Sequence, residues 1–126
     1  MLKPIQTPNA PGAIGPYSQA VRCGSLLFTS GQIALDPQTG EMVGGDVKAQ
    51  ALRVMQNLGA VLEAGGSGFD HVIKTTCFLA DMADFAAFNE VYAQFFVSNK
   101  PARSCIAARE LPKGALCEVE AVAAIE

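Results

Sequence analysis

Residues 71–96 read HVIKTTCFLADMADFAAFNEVYAQFF, and the change of period inside this stretch decides the fold. Its first ten residues alternate as a β-strand does, whereas Phe85, Phe88, Val91, Tyr92, Phe95 and Phe96 recur at the spacing of an amphipathic helix. Asp81 and Asp84 stand between the two halves as a capping pair for that helix. Five aromatics on one stripe are read as core rather than as a base-stacking platform, because the stripe must face a sheet.

Working outward, an earlier helix opens at Asp46, a favourable N-cap, and stops at Gly65-Gly66. Val47, Ala51, Val54, Met55, Leu58, Val61 and Leu62 form its apolar stripe. Gly59 costs about 1 kcal/mol against alanine in mid-helix, which points to a close approach by another element. Upstream, YSQAVRCG (17–24) and LLFTSGQIAL (26–35) are two β-type runs joined at Gly24-Ser25, after a proline-rich lead. DPQTGEMVGG (36–45) is a loop. Downstream come RSCIAAR (103–109), a turn at LPKG (111–114) and ALCEVEAVAAI (115–125). The element order β-β-α-β-α-β-β predicts a single α+β domain over residues 1–126, with two helices packed on one face of a sheet. The other face is not obviously polar, and another subunit is expected to cover it.

Composition narrows the function classes. Nine Lys/Arg against twelve Asp/Glu give a net charge of −3, with no basic run and no interleaved aromatics, so a nucleic-acid groove is not expected. Pro4, Pro8 and Pro11 interrupt the lead where a signal peptide needs an apolar stretch, and no window approaches a membrane span; the expected location is the cytoplasm. Cys23, Cys77, Cys105 and Cys117 include no C-x-x-C and stand with a single histidine, so reduced thiols and no structural metal are expected.

The polar residues that look out of place are Tyr17, Ser30-Gly31, Asn89, Arg103, Glu118 and Glu120. Each has a bland reading when taken singly. In KPARSC (100–105), strand alternation puts Arg103 and Cys105 on one face and Ser104 and Ile106 on the other. A guanidinium is seldom buried without an anion. If the last two runs formed a plain hairpin, Glu118 would lie about 17 Å along the strand from Arg103, too far to pair. Either the runs are not neighbours or the partner lies across a subunit boundary, and an exogenous anion remains open. Arg103 is expected to lower the Cys105 thiol pKa. A Cys105–His71 dyad is disfavoured, because His71 stands at the mouth of a different strand with no orienting partner.

Taken together, APGAIGPYSQAV, LLFTSGQIALDPQTGEMVGGDVKAQ, VIKTTCFLADMADFAAFNEVYAQFF, PARSC and LPKGALCEVEAVA resemble the RidA/YjgF family of reactive-intermediate deaminases, in the same order and with similar spacing. The resemblance implies a chorismate-mutase-like fold with a mixed sheet, a homotrimer with ligand clefts between subunits, and no cofactor. It implies hydrolysis of enamines and imines such as 2-aminoacrylate, 2-iminopropanoate and 2-iminobutanoate to 2-oxo acids and ammonia. Carried over by motif, Arg103 would grip the substrate carboxylate and Cys105 would line the pocket and offer its backbone. Tyr17 and Ser30-Gly31 would shape the other wall, Asn89 would be a further contact, and Glu118 would orient or deprotonate water. Lys100 stands where many relatives carry an aromatic and is read as facing water in preference to a second carboxylate contact; Arg109-Glu110 also depart from the usual pattern. The alternatives are a non-catalytic module for small carboxylates, and a ribonuclease or translation inhibitor, which the acidic balance disfavours.

Overall fold

Strand β4 (Val72–Leu79) carries a neighbour on each side, and its Thr75 side chain meets Tyr92 across the buried face. The computed structural model describes residues 1–126. Around β4 are arranged β1 (Leu2–Ile5), β2 (Ala20–Cys23), β3 (Leu26–Thr29), α1 (Val47–Ala64), α2 (Phe85–Phe95), β5 (Ala102–Ala107) and β6 (Cys117–Ala124). The six-stranded sheet runs β1-β2-β3-β6-β4-β5. All pairs are antiparallel except β4 with β5, which α2 joins as a crossover. The sheet is therefore mixed, with both helices on one side, as expected.

Three details depart from the sequence reading. The proline-rich lead contains β1, paired from Leu2↔Cys23 to Ile5↔Ala20. Pro4 is tolerated there because β1 is an edge strand, where one side of the backbone needs no ladder partner. β3 ends at Thr29; beyond it Ser30 N–H still reaches Gln19 O at 2.9 Å, and the next bridge is the isolated pair Gln32↔Val119. Asp81 and Asp84 do not act as a pair: Asp81 accepts from the Ala83 N–H at 2.9 Å and caps a 3₁₀ turn, while Asp84 makes no side-chain cap. Of the alternatives left open for the last two runs, the sheet order shows the first: they are not neighbours, for β4 lies between β5 and β6.

Local chemistry explains the long helix. The Asp46 side chain accepts from the Ala49 N–H at 3.0 Å, and the C-terminus closes with Ser67 N–H on the Leu62 carbonyl at 2.9 Å and Gly66 N–H on Glu63 at 3.0 Å. Gly66 has φ +84°, which suits glycine and completes a Schellman closure. The whole predicted stripe is buried. Gly59 meets Phe69, where a Cβ would fall 2.9 Å from the ring. One polar residue lies inside the same core. Asn57, fully buried, donates to the carbonyls of Ile33 at 3.1 Å and Leu35 at 2.9 Å and accepts from Arg53 Nε at 3.0 Å. It thereby ties the irregular segment after β3 to α1.

The far side of the sheet carries no helix. Register puts Val21, Leu26, Phe28, Val122, Phe78 and Ile106 on it, and Phe28 is 45% and Ile106 53% exposed. No helix is long and apolar enough to cross a membrane.

Asn57→Ala leaves two carbonyls without a donor and is expected to lower stability by about 1–3 kcal/mol in urea unfolding. Asn57→Leu fills the volume but donates nothing, so it recovers none of that loss; full recovery would show that packing rather than hydrogen bonding makes Asn57 matter.

Candidate functional site

The predicted site residues gather into two groups, one on each face of the sheet. The first is built on β5 and α2. Arg103 and Cys105 lie opposite Thr75 and Cys77 of β4, on the helix side, as the alternation predicted. Arg103 NH1 donates to Asn89 Oδ1 at 2.7 Å, and the guanidinium lies over the rings of Tyr92 at 4.8 Å and Phe85 at 5.4 Å. The Tyr92 hydroxyl is held in turn by Thr75 Oγ1 at 2.7 Å. Beside the guanidinium is a cavity of about 330 Å³ lined also by Phe96, Lys100 and Pro101. Arg103 has no carboxylate partner: the ion pairs of the chain are Lys48–Glu90 and His71–Glu126.

Cys105 does not behave as expected. Burial pushes its thiol above the ordinary range, and the opposing pull of Arg103 is the smaller effect. Cys77, its partner in register, is pushed up to about 12 by burial. His71 engages Glu126 at 3.3 Å near the start of β4 and has no contact with Cys105.

The second group faces the open side. A cavity of about 520 Å³ is lined by Tyr17, Ser30, Gly31 and Glu118, together with Lys113 and Glu120. Glu118 and Glu120 share this face, opposite Phe78 and Thr76. The Glu118 carboxyl is raised above its ordinary range, first by burial and then by the charge of Glu120. Gly31 lies directly under it, where a Cβ would collide with the carboxylate oxygen and stand 2.8 Å from its carbon. The backbone is clamped at this point by Gln32 N–H on Val119 O at 2.9 Å and Val119 N–H on Gln32 O at 3.2 Å. Ser30 hydroxyl donates to Ser18 O at 2.6 Å, so the hydroxyl proton is used in holding two loop segments together.

Sequence reasoning missed Gln19. Buried, it accepts from Thr7 N–H at 2.7 Å and donates to the carbonyls of Thr7, Ala10 and Pro11 at 3.1, 3.3 and 2.7 Å. This clip folds the lead into the wall beside Tyr17. A usable signal existed, since a segment with three prolines is short of backbone donors and needs a side chain to satisfy its carbonyls.

Within one chain the two groups cannot meet. Arg103 aligns with Thr75 and Ala121, whereas Glu118 aligns with Phe78 and Ile106. Three residues along and two strands across place them about 14 Å apart, with side chains on opposite faces. No three His, Cys, Asp or Glu side chains converge as a metal site would require.

Residues 7–125 match the family model described as Endoribonuclease L-PSP. A RutC family protein of Pyrococcus horikoshii is 52% identical over 123 residues, covering 98% of each chain. The human protein named 2-iminobutanoate/2-iminopropanoate deaminase is 50% identical over 119 residues, covering 94% of this chain and 87% of its own. Among solved structures, Escherichia coli TdcF with bound serine superposes with a TM-score of 0.94 at 47% identity, covering 98% of this chain and 99% of its own. The E. coli YjgF gene product gives 0.94 at 44% identity, covering 98% and 99%.

Gly31→Ala is expected to keep full far-UV circular dichroism but to displace the Glu118 carboxyl toward water. Its titration midpoint, followed by carbon-13 NMR of the side chain, then falls toward the ordinary carboxylate value. An unchanged midpoint would mean that the glycine does not govern that carboxyl.

Proposed function

The chain belongs to the RutC/RidA/YjgF family, and on that premise we propose that it hydrolyses 2-imino acids and their enamine tautomers, including 2-iminopropanoate and 2-iminobutanoate, to 2-oxo acids and ammonia. The observation that carries this reading is the pair of complementary half-sites. One face offers a half-buried, oriented and unneutralised guanidinium, and the other offers a carboxyl with raised proton affinity. A homotrimer that covers the apolar open face would set the Arg103 edge of one subunit against the Glu118 cavity of the next. The human relative's name and the serine bound to TdcF support a small amino-acid-like ligand with a carboxylate.

The reaction then follows from what each group supplies. Arg103 spends one donor on Asn89 and keeps its remaining N–H groups for the substrate carboxylate. The carbon of a protonated imine is already electrophilic, so orientation and proton management suffice. Glu118 accepts a proton from water as the oxygen attacks C2. The amino nitrogen of the tetrahedral adduct takes that proton and leaves as ammonia while the C2–O double bond forms, and the proton of the C2 hydroxyl passes to the departing ammonia, which is released as ammonium. Water and the protonated imine are consumed, 2-oxo acid and ammonium are released, and Glu118 ends as it began. Cys105, a neutral thiol, lines the wall, and Tyr17 and Ser30-Gly31 close the other side.

A non-catalytic carboxylate-binding module would use the same arginine but would not need Glu118. The endoribonuclease description of the family model finds little support in this surface, since Glu118 and Glu120 share the larger cavity and the net charge is −3.

Ammonia release from a dehydratase-generated imine tests the reading. Arg103→Ala is expected to lower kcat/KM about a hundredfold, as loss of charge-assisted contacts requires. Glu118→Gln is expected to lower kcat about a hundredfold or more while leaving 2-oxobutanoate binding in place. Unfolding and refolding the two inactive variants together is expected to restore about a quarter of wild-type activity, the chance that an interface draws one intact arginine edge and one intact glutamate face. No recovery on mixing would refute the shared site.

Because the attacking water needs ionised Glu118, kcat/KM is expected to fall on the acid side with a midpoint above the ordinary value of 4.5. Glu118→Gln removes that limb, and a limb that survives the substitution assigns it to another group.

A further inference from the structure

Two cations, Arg103 and Lys100, line one side of the proposed cleft, and the single carboxylate of a monocarboxylic imino acid answers only one of them. That carboxylate satisfies Arg103, and the protonated imine faces Glu118. Lys100 lines the same cavity as Arg103, no acidic residue lines that cavity, and neither cation takes part in an ion pair of the chain. The ammonium of Lys100 has only the Val97 carbonyl, at 3.4 Å and exposed to water, which leaves most of its hydrogen-bonding capacity free.

Lys100 is nonetheless firmly based. Asn99 Nδ2 donates to the carbonyls of Phe69 at 3.0 Å and Val72 at 2.8 Å, anchoring the chain one residue before it. Pro101 follows and restricts Lys100 to extended backbone. The backbone beneath Lys100 is therefore a fixed point at the cavity rim, and the side chain above it is free to reach into the cavity. From these observations we propose that the cleft prefers 2-imino dicarboxylic acids, with Arg103 holding the carboxylate beside the imine and Lys100 holding the second one. This rests on the reading of Arg103 as the carboxylate-binding group. The chemistry is unchanged: water adds at C2, ammonia leaves, and the product is a 2-oxo dicarboxylic acid. A reaction supplying such a substrate would oxidise or dehydrate an acidic amino acid or a hydroxylated relative of one.

Calorimetry with two four-carbon product acids, oxaloacetate and 2-oxobutanoate, tests the preference directly. The wild type is expected to bind the diacid about fivefold more tightly, the scale of one partly screened ion pair. Lys100→Met, which keeps the stem, should erase that difference without weakening 2-oxobutanoate, and Lys100→Arg should preserve it. In parallel, ammonia release is followed from imines made in situ by amino-acid oxidases acting on aspartate and on 2-aminobutanoate, and Lys100→Met should slow only the first. Equal wild-type affinity for the two acids, or an equal loss for both in Lys100→Met, overturns this inference while hydrolysis of the monocarboxylic imine leaves the enzymatic reading standing. An intact diacid preference with neither imine hydrolysed overturns the enzymatic reading and upholds the dicarboxylate site.

Discussion

A β-strand turns successive side chains to opposite faces, and this parity separates Arg103 from Glu118. The two strands flank β4, so their registers are fixed through a common neighbour, and a one-residue slip in either would exchange its buried and open faces. Such a slip of β6 would put Cys117 and Val119, both fully buried, into water. The hydrophobic core thus enforces a division of the polar residues that no loop movement can repair. Function that needs both groups must be assembled from two chains. The open face has the means, since Phe28, Phe78, Val122 and Ile106 would gain about 25 cal/mol for each Å² of apolar surface covered.

Arg103 is oriented without being neutralised. A carboxylate in the place of Asn89 would compete with any incoming acid, and removing the pair from water would cost more than a single contact returns. Asn89 is a neutral acceptor, so it fixes the fork through one hydrogen bond and leaves the positive charge intact. The faces of Tyr92 and Phe85 contribute about 0.5–2 kcal/mol of cation–π attraction and shield the guanidinium from water on that side. Thr75, itself fully buried, then holds the Tyr92 ring by its hydroxyl, which carries the orientation back into β4. The aromatic stripe of α2 serves the core and the site with the same side chains.

The fold was legible where period and punctuation were strong: both helices, the caps at Asp46 and Gly65-Gly66, β4, and the face shared by Arg103 and Cys105. The candidate site could be proposed from residue types at motif spacing, and the structure gathers those residues into two groups on opposite faces. What could not be read was pairing. A local hairpin is the economical guess for two runs joined by LPKG, and only the sheet order shows that β4 is inserted between them. The short edge strand β1 was hidden because proline signals a loop in sequence but is harmless on an outer edge. Gln19 and Asn57 were missed for a related reason. Each satisfies backbone carbonyls displaced from regular structure, and those carbonyls cannot be identified until the irregular segments are placed. The thiol of Cys105 turned on a balance between burial and a nearby cation that sequence proximity alone does not decide.

Glu118 shows why such a site is not neutral for stability. Its carboxyl holds a proton more tightly in the folded chain than in the unfolded one, so its contribution to stability is present at low pH and is lost as pH rises from its ordinary value of 4.5 through the raised one. Above that window the folded protein carries an ionised carboxylate in surroundings that disfavour it. The cost is met locally by backbone: Gln32 and Val119 exchange two hydrogen bonds beside Glu118, and Gly31 leaves room for its carboxylate. Assembly in the proposed manner would act on this group in two opposed ways. Covering the open face would exclude more water and raise its proton affinity further, while the approach of a neighbour's Arg103 would favour the ionised form. In the proposed assembly the arginine would then do more than grip the substrate, since it would also offset burial and favour the ionised Glu118 that accepts a proton from water. Burial makes Glu118 the stronger base and a neighbour's guanidinium would keep it charged, so the interface would set the balance between basicity and ionisation.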